Sequence, residues 1–306
     1  MEALRGKKIL VTGPGGQVAF PIARELAKEN QVIGLARFRR AEERVRLEEA
    51  GVRCVAVDLA DDSLDAVPDD VDYVLHFAVV KSLDGNFDYD LSANAEGTGR
   101  LMERCRRARA FLYCSSTGVY EPAGHQPLKE TDPLGDNHRI LMPTYSISKI
   151  AAETMVRFGA RQWRIPATIA RLNVPYGANG GWPSMHLDWM LAGQAIPVHV
   201  DRPNLYNPIF EDDYIAHVPK LLEVASVPAT IVNWAGSEPV AIEEWCGYLG
   251  DLAGRKPSFL YTDRTISSVV TDVTRMHELI GPTRVAWRDG MRRMLEARHP
   301  EVARSA

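Results

Sequence analysis

Apolar residues follow two alternating patterns along the first half of the chain. Short apolar runs, typical of buried strands, alternate with stretches in which apolar residues recur at helical spacing. The predicted strands are residues 9–11, 31–36, 53–57, 71–77, 110–115 and 167–171, and the predicted helices are 18–27, 41–50, 91–108 and 144–158. Alternating strands and helices imply right-handed crossovers, parallel strands and helices on both faces of the sheet. The pattern therefore predicts an α/β chain with a doubly wound parallel sheet.

The second half of the chain has a different texture. Glycine, proline and aromatic residues crowd positions 174–208, and regular elements return at 213–224, 229–234 and 242–252. We expect a main domain over residues 1–173 and a smaller C-terminal, mainly substrate-binding subdomain over 174–306. Segments at about 208–236 are expected to return to the large sheet.

Composition narrows the functional class. The chain has 306 residues, 45% of them hydrophobic, and a net charge of −4 with both signs interspersed, which gives no electrostatic case for nucleic acid or an anionic membrane. Four dispersed cysteines suit a reducing cytoplasm, and no apolar stretch approaches the length of a signal peptide or a membrane span. Eight histidines without metal-ligand spacing predict no metal site.

A glycine-rich turn follows the first predicted strand. Residues without a Cβ allow positive φ and let phosphates approach main-chain N–H groups at the positive end of a helix. The order strand, glycine turn, helix predicts a Rossmann-type dinucleotide site, although an ordinary strand-to-helix turn has the same pattern. The candidate cofactor residues of this turn are Thr12, Gly13, Gly15, Gly16, Gln17 and Val18.

The end of the second strand bears on the choice of cofactor. An acidic residue there bonds the ribose hydroxyls of NAD, whereas a basic one can pair with the extra phosphate of NADP. The strand ends at Arg37, which favours NADP over NAD unless this arginine only begins a solvated helix. Asp58 and Leu59, just past the third strand, are expected beside the adenine, and Asp58 could equally cap a helix.

A tyrosine and a lysine four residues apart form the second candidate constellation. On a helix, Tyr145 and Lys149 lie on one face, so the ammonium can be held beneath the phenol. A neighbouring positive charge, here Lys149 together with an oxidised nicotinamide, is expected to lower the pKa of the phenol and make Tyr145 an acid/base for carbonyl–alcohol interconversion. The hydroxyl-rich segment 115–120 ends the fifth strand, where a ligand crevice is expected.

With these motifs the chain resembles the extended branch of the short-chain dehydrogenase/reductase superfamily, the NAD-dependent epimerase/dehydratase family. The matching segments are Thr12-Gly13-x-x-Gly16-x-x-Ala19, Leu75-His76-Phe77-Ala78, Asn94-Ala95-Glu96-Gly97-Thr98 and Arg171-Leu-Asn173-Val-Pro-Tyr176-Gly177. The resemblance implies a catalytic set of Ser116, Tyr145 and Lys149. It also implies cofactor contacts at Phe77, Ala78, Val79, Asn94, Tyr145 and Lys149, with Lys149 on the nicotinamide ribose and Ser116 on the reacting oxygen.

Two departures from the family pattern restrict the reaction. Dehydratases of this branch carry an Asp-Glu pair where this chain has Thr117 and Gly118, so dehydration is not expected. Nucleotide-sugar enzymes grip the diphosphate with an arginine where this chain has Tyr206, and the segment of a second arginine clamp holds only Arg264. The pattern predicts a substrate without a diphosphate.

The candidate substrate residues come from several segments. They are Lys81, Thr117, Asn173, Tyr176, His186 and Tyr206. Lys81 could equally be solvated. The aromatic stretch that contains His186 could line a substrate lid or form a subdomain core.

The sequence motifs are compatible with three functions. The leading one is an NAD(P)-dependent oxidoreductase that moves a hydride between the nicotinamide and a hydroxyl or carbonyl carbon of a small non-nucleotide substrate. The alternatives are an NAD-dependent nucleotide-sugar epimerase and a non-catalytic NADP-binding regulator. The family resemblance also implies a homodimer paired through the helices at 91–108 and 147–158, whose apolar faces could instead pack on the protein's own sheet.

Overall fold

The computed structural model of the protein describes residues 4–60, 63–82 and 85–303. Within these ranges the strands are β1 Lys8–Thr12, β2 Gln31–Ala36, β3 Arg53–Ala56, β4 Tyr73–His76, β5 Ala110–Ser116, β6 Ala167–Leu172, β7 Pro175–Tyr176, β8 Ile196–His199, β9 Leu205–Tyr206, β10 Ile209–Phe210, β11 Thr230–Trp234, β12 Val240–Ala241 and β13 Phe259–Thr262. The α-helices are α1 Ala19–Ala27, α2 Ala41–Glu49, α3 Phe87–Leu91, α4 Gly97–Arg104, α5 Tyr145–Trp163, α6 Trp182–Leu191, α7 Glu211–Glu223, α8 Ile242–Ala253, α9 Thr274–Ile280, α10 Trp287–Arg298 and α11 Pro300–Ala303.

Seven parallel strands form the central sheet in the order β11-β6-β5-β4-β1-β2-β3. The chain builds β1, β2 and β3 towards one edge and then returns to place β4 on the other side of β1. Thr12 at the end of β1 is paired with Leu35 on one side and His76 on the other. In such a sheet, ligands bind where the strand order reverses, at the carboxyl ends of the strands. The predicted Rossmann-type fold is confirmed.

Each face of the sheet carries its own apolar core. Successive side chains of a strand point to opposite faces, so Ile9 and Val11 join one core while Leu10 joins the other. Helices cover both faces, as the alternating sequence pattern predicts. This burial fixes the register of β1 and hence the position of the glycine turn that follows it.

The C-terminal half adds a second, smaller body of structure. Three two-stranded sheets pair β10 with β7, β12 with β9 and β13 with β8, and an aromatic-rich core that includes Tyr176, Tyr206 and Trp245 holds them to the nearby helices. Strand β11 joins the large sheet beside β6, and Tyr214 and Val218 of α7 pack in the core on one of its faces.

The single helix expected over residues 91–108 is wrong as a continuous α-helix. The chain forms α3, then a π-helical turn at Ser92–Glu96, then α4, which ends at Arg104. The wider turn contains Asn94, whose amide accepts a hydrogen bond from Val80 N and donates to Val80 O. A π turn re-aims side chains within a helix and is frequent at functional sites. Here it accompanies an amide side chain that bonds both backbone groups of one loop residue.

Candidate active site

A two-part groove runs along the carboxyl ends of the central strands. One part has a volume of about 420 Å³ and contains Ser116 and Tyr145, and the other has about 340 Å³ and contains Arg37 and Asp58. The two parts share four lining residues, which are Gly13, Gly16, Phe77 and Val79. A groove with two lobes that meet at a glycine turn has the form that a dinucleotide requires, one nucleotide in each lobe.

The glycine turn is held against the loop after β4. Gly13 has a φ of +62°, and a Cβ there would lie 2.9 Å from the Cα of Ala78. Thr12 Oγ1 accepts hydrogen bonds from Phe77 N and Ala78 N at 3.1 and 3.0 Å. Only glycine allows both this backbone conformation and this approach. The turn is therefore a bare-backbone cradle at the start of α1, which fits the pyrophosphate of a dinucleotide.

His76 supports this cradle from below and does not face the groove. Its ring nitrogens lie 2.6 Å from Thr12 Oγ1 and 2.7 Å from Thr98 Oγ1. Burial lowers the pKa of His76 to about 3, so the ring is neutral and links two hydroxyl groups. His76 is thus a buried residue at the end of β4.

The other lobe contains charges of both signs. Arg37 Nη1 donates to the hydroxyl of Tyr89, which in turn donates to Asp58 Oδ2, and the guanidinium lies 4.0 Å from that carboxylate. Asp58 also accepts from Ala60 N in a local turn, and no helix among the described residues begins there for it to cap. Leu59, Ala78 and Asn94 line the same lobe. Glu43 of α2 lies there too, with its carboxylate close enough to Gly15 that any Cβ would clash with it.

Ser116, Tyr145 and Lys149 converge in the larger lobe. Ser116 ends β5, its Oγ accepts a hydrogen bond from Gly118 N, and its hydroxyl is hydrogen-bonded to the phenol of Tyr145. Tyr145 and Lys149 share one face of α5, and Lys149 Nζ donates to the carbonyl oxygen of Cys114 at 2.7 Å. The chain thus brings a serine hydroxyl, a phenol and an ammonium into one cavity from two neighbouring elements.

The pKa values of this pair differ from the expectation based on sequence. Burial raises the pKa of Tyr145 to about 12, opposed by the hydrogen bond with Ser116, and burial lowers the pKa of Lys149 to about 8. The ammonium is directed at the Cys114 carbonyl, and removal from water destabilises the charged form of both groups. In this structure Lys149 alone therefore does not lower the pKa of the phenol.

The predicted substrate residues are divided between the cavity and the core. Lys81, Thr117, Asn173 and Tyr206 line the larger lobe, and the Lys81 ammonium lies 5.8 Å from the centre of the Tyr145 ring. Removal from water lowers the pKa of Lys81, although the residue is exposed and is therefore also solvated, as the alternative interpretation of the sequence has it.

Tyr176 and His186 do not line that lobe, which corrects their prediction as substrate residues. The Tyr176 hydroxyl donates to the Trp287 carbonyl, and His186 accepts from Trp245 Nε1 while its ring stacks on the indole. Both side chains belong to the apolar core of the C-terminal half because their polar atoms find partners there. Trp182, from the same aromatic stretch, does line the cavity.

Among the residues that line the groove without having been predicted from the sequence, three carry polar or polarisable side chains at the two lobes: Glu43, His138 and Met142. Glu43 lies on a charged helix where nothing distinguishes it from its acidic neighbours, and Met142 and His138 lie in a long connection without a motif. The ring of His138 lies 5.5 Å from that of Tyr145, at an angle of 33°. A histidine shortly before the tyrosine motif was the available signal.

A buried ion pair ties the elements of the site together. Arg171 of β6 contacts the Glu153 carboxylate through Nε at 2.9 Å and Nη2 at 2.8 Å, and both side chains are 3% exposed. Ser115 of β5 donates to the same carboxylate at 2.6 Å. One acidic group on α5 therefore joins β5, which ends at Ser116, to β6, which Asn173 directly follows.

A family model described as the NAD dependent epimerase/dehydratase family matches residues 9–229, well over half of the chain. The chain belongs to this family. Among curated proteins, a dTDP-glucose 4,6-dehydratase from Mycobacterium tuberculosis is 25% identical over 244 residues, which cover 73% of this chain and 71% of the relative. A dTDP-4-dehydrorhamnose reductase from Burkholderia thailandensis is 29% identical over 161 residues, 51% of this chain and 47% of the relative.

Solved structures of the epimerase/dehydratase family share the fold. The UDP-glucuronic acid 4-epimerase from Bacillus cereus, in complex with UDP-glucuronic acid and NAD, superposes with a TM-score of 0.81 at 19% identity over 98% of this chain and all of the other. A UDP-N-acetylglucosamine 4-epimerase from Methanobrevibacter ruminantium M1 gives a TM-score of 0.83 at 18% identity, over 97% and 100% of the two chains. The expectation of an NAD(P)-dependent enzyme of the extended short-chain dehydrogenase/reductase type is confirmed. Nowhere in the described ranges is a helix both long and apolar enough to cross a membrane.

The lowered pKa of Lys149 predicts how Lys149→Met changes the pH dependence of stability. Between pH 8 and 10.5 Lys149 is protonated in the unfolded chain and deprotonated in the folded chain. Its contribution to the free energy of unfolding of the wild type therefore rises with pH over this range. Urea denaturation across this range should show the stability of the wild type relative to Lys149→Met increasing with pH. Lys256→Met, at an exposed position, controls for the loss of a positive charge. A constant difference between wild type and Lys149→Met would contradict the assignment.

Proposed function

We propose that this enzyme interconverts a hydroxyl and a carbonyl group on a small substrate that lacks a nucleotide diphosphate. The observation that carries the proposal is the convergence of Ser116, Tyr145 and Lys149 in a cavity of about 420 Å³. When bound, a nicotinamide dinucleotide supplies the hydride acceptor or donor. Because the nicotinamide end shares this volume, the space left is suited to a small molecule.

The residues of the chain handle the proton and the substrate oxygen. In oxidation Tyr145 acts as the phenolate, a form that the positive charge of a bound oxidised nicotinamide would stabilise together with Lys149, and takes the proton from the substrate hydroxyl. In reduction the phenol returns that proton. Ser116 donates a hydrogen bond to the same oxygen once the substrate takes the place of its contact with the Tyr145 phenol, because its Oγ already accepts from Gly118 N. Lys149, whose pKa burial lowers to about 8, holds the ribose of the cofactor.

NADP is the proposed cofactor, with NAD as the alternative. Arg37 and Arg39 line the adenosine lobe at the end of β2 and can pair with a 2′-phosphate. Glu43 opposes them, and the Bacillus cereus structure named above contains NAD.

The proposed substrate class rests on the charges of the larger lobe. Among its described lining residues the cationic side chains are Lys81 and Lys149, and no arginine is present. Tyr206, at the position of the missing clamp, is buried and its hydroxyl donates to the carbonyls of Ile266 and Ser267. A diphosphate desolvated here would lack the bidentate guanidinium partners that stabilise it.

A nucleotide-sugar epimerase is the second candidate. The structure of the Bacillus cereus enzyme, which shares the fold over nearly the whole chain, holds UDP-glucuronic acid and NAD. Arg202 and Arg264 are candidates to replace the missing clamp in that case, and neither lines the cavity.

The proposed assembly is a homodimer in the cytoplasm. Ile147 and Phe158 of α5 are large apolar side chains with 41% and 52% of their surface exposed, which supports pairing of this helix with its copy. The four cysteines are free thiols, which supports a reducing compartment.

Tyr145→Phe tests the proposed chemistry. The variant should bind the cofactor nearly as the wild type does, while its turnover falls by about 10²-fold or more, because the proton has no carrier. Cofactor titration and a panel of simple alcohols and ketones, followed by nicotinamide absorbance, measure both quantities. Full activity in Tyr145→Phe would reject the role of the phenol.

Arg37→Asp tests the cofactor preference. It should weaken NADP by about tenfold or more and NAD by less, since a phosphate partner is replaced by a like charge. Glu43→Gln is the converse variant and should strengthen NADP. Calorimetric titration of both cofactors against all three proteins gives the comparison. Equal losses for NADP and NAD in Arg37→Asp would show that Arg37 only begins a solvated segment.

Titration with UDP and dTDP tests the substrate class. We expect weak binding of both, because each charged hydrogen bond missing from the diphosphate site costs about 1.5–3 kcal/mol, roughly tenfold or more in affinity. The titration is done on cofactor-loaded protein by calorimetry. A dissociation constant below about 10 µM would place the epimerase first.

A further inference from the structure

His138 is a buried side chain of the cavity to which the proposed chemistry gives no role. It lies in the connection between β5 and α5, is 9% exposed, and lines the same lobe as Ser116 and Tyr145. No hydrogen bond to its Nε2 atom is seen in the described part of the chain, whereas its Nδ1 contacts the side chain of Asn137.

The neighbouring amide fixes which ring nitrogen carries the proton. Asn137 Nδ2 donates to the carbonyl of Thr117 at 3.0 Å, so the amide oxygen is the atom that faces His138 Nδ1. An amide oxygen can only accept, hence Nδ1 must donate. A neutral imidazole has one ring proton, which leaves Nε2 as a lone-pair acceptor.

The groups around the ring keep it neutral. Burial, together with the positive charge of Lys81, lowers the pKa of His138 to about 4, and the ring of Tyr145 packs beside it as an uncharged phenol. An imidazole with so low a pKa is a poor carrier of protons at neutral pH. Its remaining capacity is to accept a hydrogen bond from a ligand.

The backbone opposite the ring makes room for it. A Cβ on Gly118 would lie 2.9 Å from His138 Nδ1 and 3.0 Å from Cε1. The imidazole therefore fills the space into which a side chain at position 118 would project, two residues after Ser116. This places the ring of His138 beside the serine motif, in the lobe that Ser116 and Tyr145 also line.

We propose that His138 Nε2 accepts a hydrogen bond from a hydroxyl on the carbon next to the reacting carbon. The substrate is then a vicinal diol in its reduced form and an α-hydroxy carbonyl compound in its oxidised form. The spacing of the His138 and Tyr145 rings, 5.5 Å between centres, keeps adjacent substituents of one small molecule within reach of both. This inference rests on the proposed function, because it takes the reacting oxygen to lie at Tyr145.

The first test compares matched pairs that differ by one hydroxyl. The probes are trans-cyclohexane-1,2-diol against cyclohexanol, and 2-hydroxycyclohexanone against cyclohexanone. The wild type should prefer the hydroxylated member in kcat/KM by about tenfold or more, because a site built around a buried acceptor rejects the ligand that leaves it unpaired. In His138→Phe, which keeps an aromatic ring against Gly118, that ratio should fall to about one. A wild-type ratio near one, or the same ratio in His138→Phe, would overturn the proposal.

Gly118→Ala is the second variant, and it keeps histidine at position 138. Its Cβ should displace the ring and lower the same ratio without any change at position 138. Thermal unfolding and cofactor titration confirm that both variants are folded. Retention of the wild-type ratio in Gly118→Ala would show that the position of the ring does not set the preference.

A spectroscopic measurement separates failure of the inference from failure of the proposed function. Nitrogen NMR of cofactor-loaded protein with labelled histidine rings should show a neutral, Nδ1-protonated signal that is missing from His138→Phe. Its acceptor nitrogen should shift on addition of the diol and not of cyclohexanol. The shift of the acceptor nitrogen tests the role of His138 even if the enzyme oxidises neither alcohol. Absence of oxidation would reject only the proposed function. A protonated Nε2, or no shift with the diol, would overturn the role of His138.

Discussion

The geometry of the site depends on one buried carboxylate. Glu153 of α5 accepts two hydrogen bonds from Arg171 of β6 and one from Ser115 of β5, at a point where both members of the ion pair are 3% exposed. Removing two charges from water is unfavourable and is repaid only when the geometry is good and the remaining lone pairs are satisfied. Loss of one partner would leave a buried charge unpaired, at a cost of about 3–5 kcal/mol. The buried ion pair therefore fixes the positions of α5, β5 and β6 relative to one another.

That arrangement positions the reactive groups because each is a close neighbour of the ion pair in sequence. Lys149 is one helical turn before Glu153, Ser116 directly follows Ser115, and Asn173 is two residues after Arg171. Once the carboxylate joins the helix to the strands, these three side chains have little freedom to separate. The hydrogen bond from Lys149 Nζ to the Cys114 carbonyl is a further link between α5 and β5. The motifs that are visible in the sequence are adjacent in space for this reason.

The sequence predicted the parts of the site that depend on local pattern. The glycine turn, the tyrosine–lysine pair and the end of β5 each follow from a strand or helix of fixed periodicity and from the rule that parallel strands end at one edge. It failed where tertiary contacts decide. Tyr176 and His186 resemble ligand-binding residues in a glycine-rich stretch, yet their polar atoms are used by Trp287 and Trp245. The π turn contains Asn94, whose amide bonds the backbone of Val80 in the loop after β4, a contact that no local pattern of the sequence predicts.

The contact between Gly118 and His138 shows why a tertiary contact cannot be predicted from the sequence pattern alone. A glycine after the serine motif reads as the loss of a functional side chain, and a histidine in a long connection reads as an isolated polar residue. In the fold, the glycine at position 118 and the histidine at position 138 belong together. The ring of His138 lies against Gly118, and a Cβ at position 118 would displace it. The polar group that position 118 lacks is supplied from residue 138, with Asn137 fixing its tautomer. A carboxylate projecting from position 118 would bring a charge that moves protons, whereas a neutral imidazole in the same space contributes a fixed lone pair. The substitution thus exchanges proton transfer for recognition of a hydroxyl, which is consistent with an enzyme that leaves the carbon–oxygen bonds of its substrate intact.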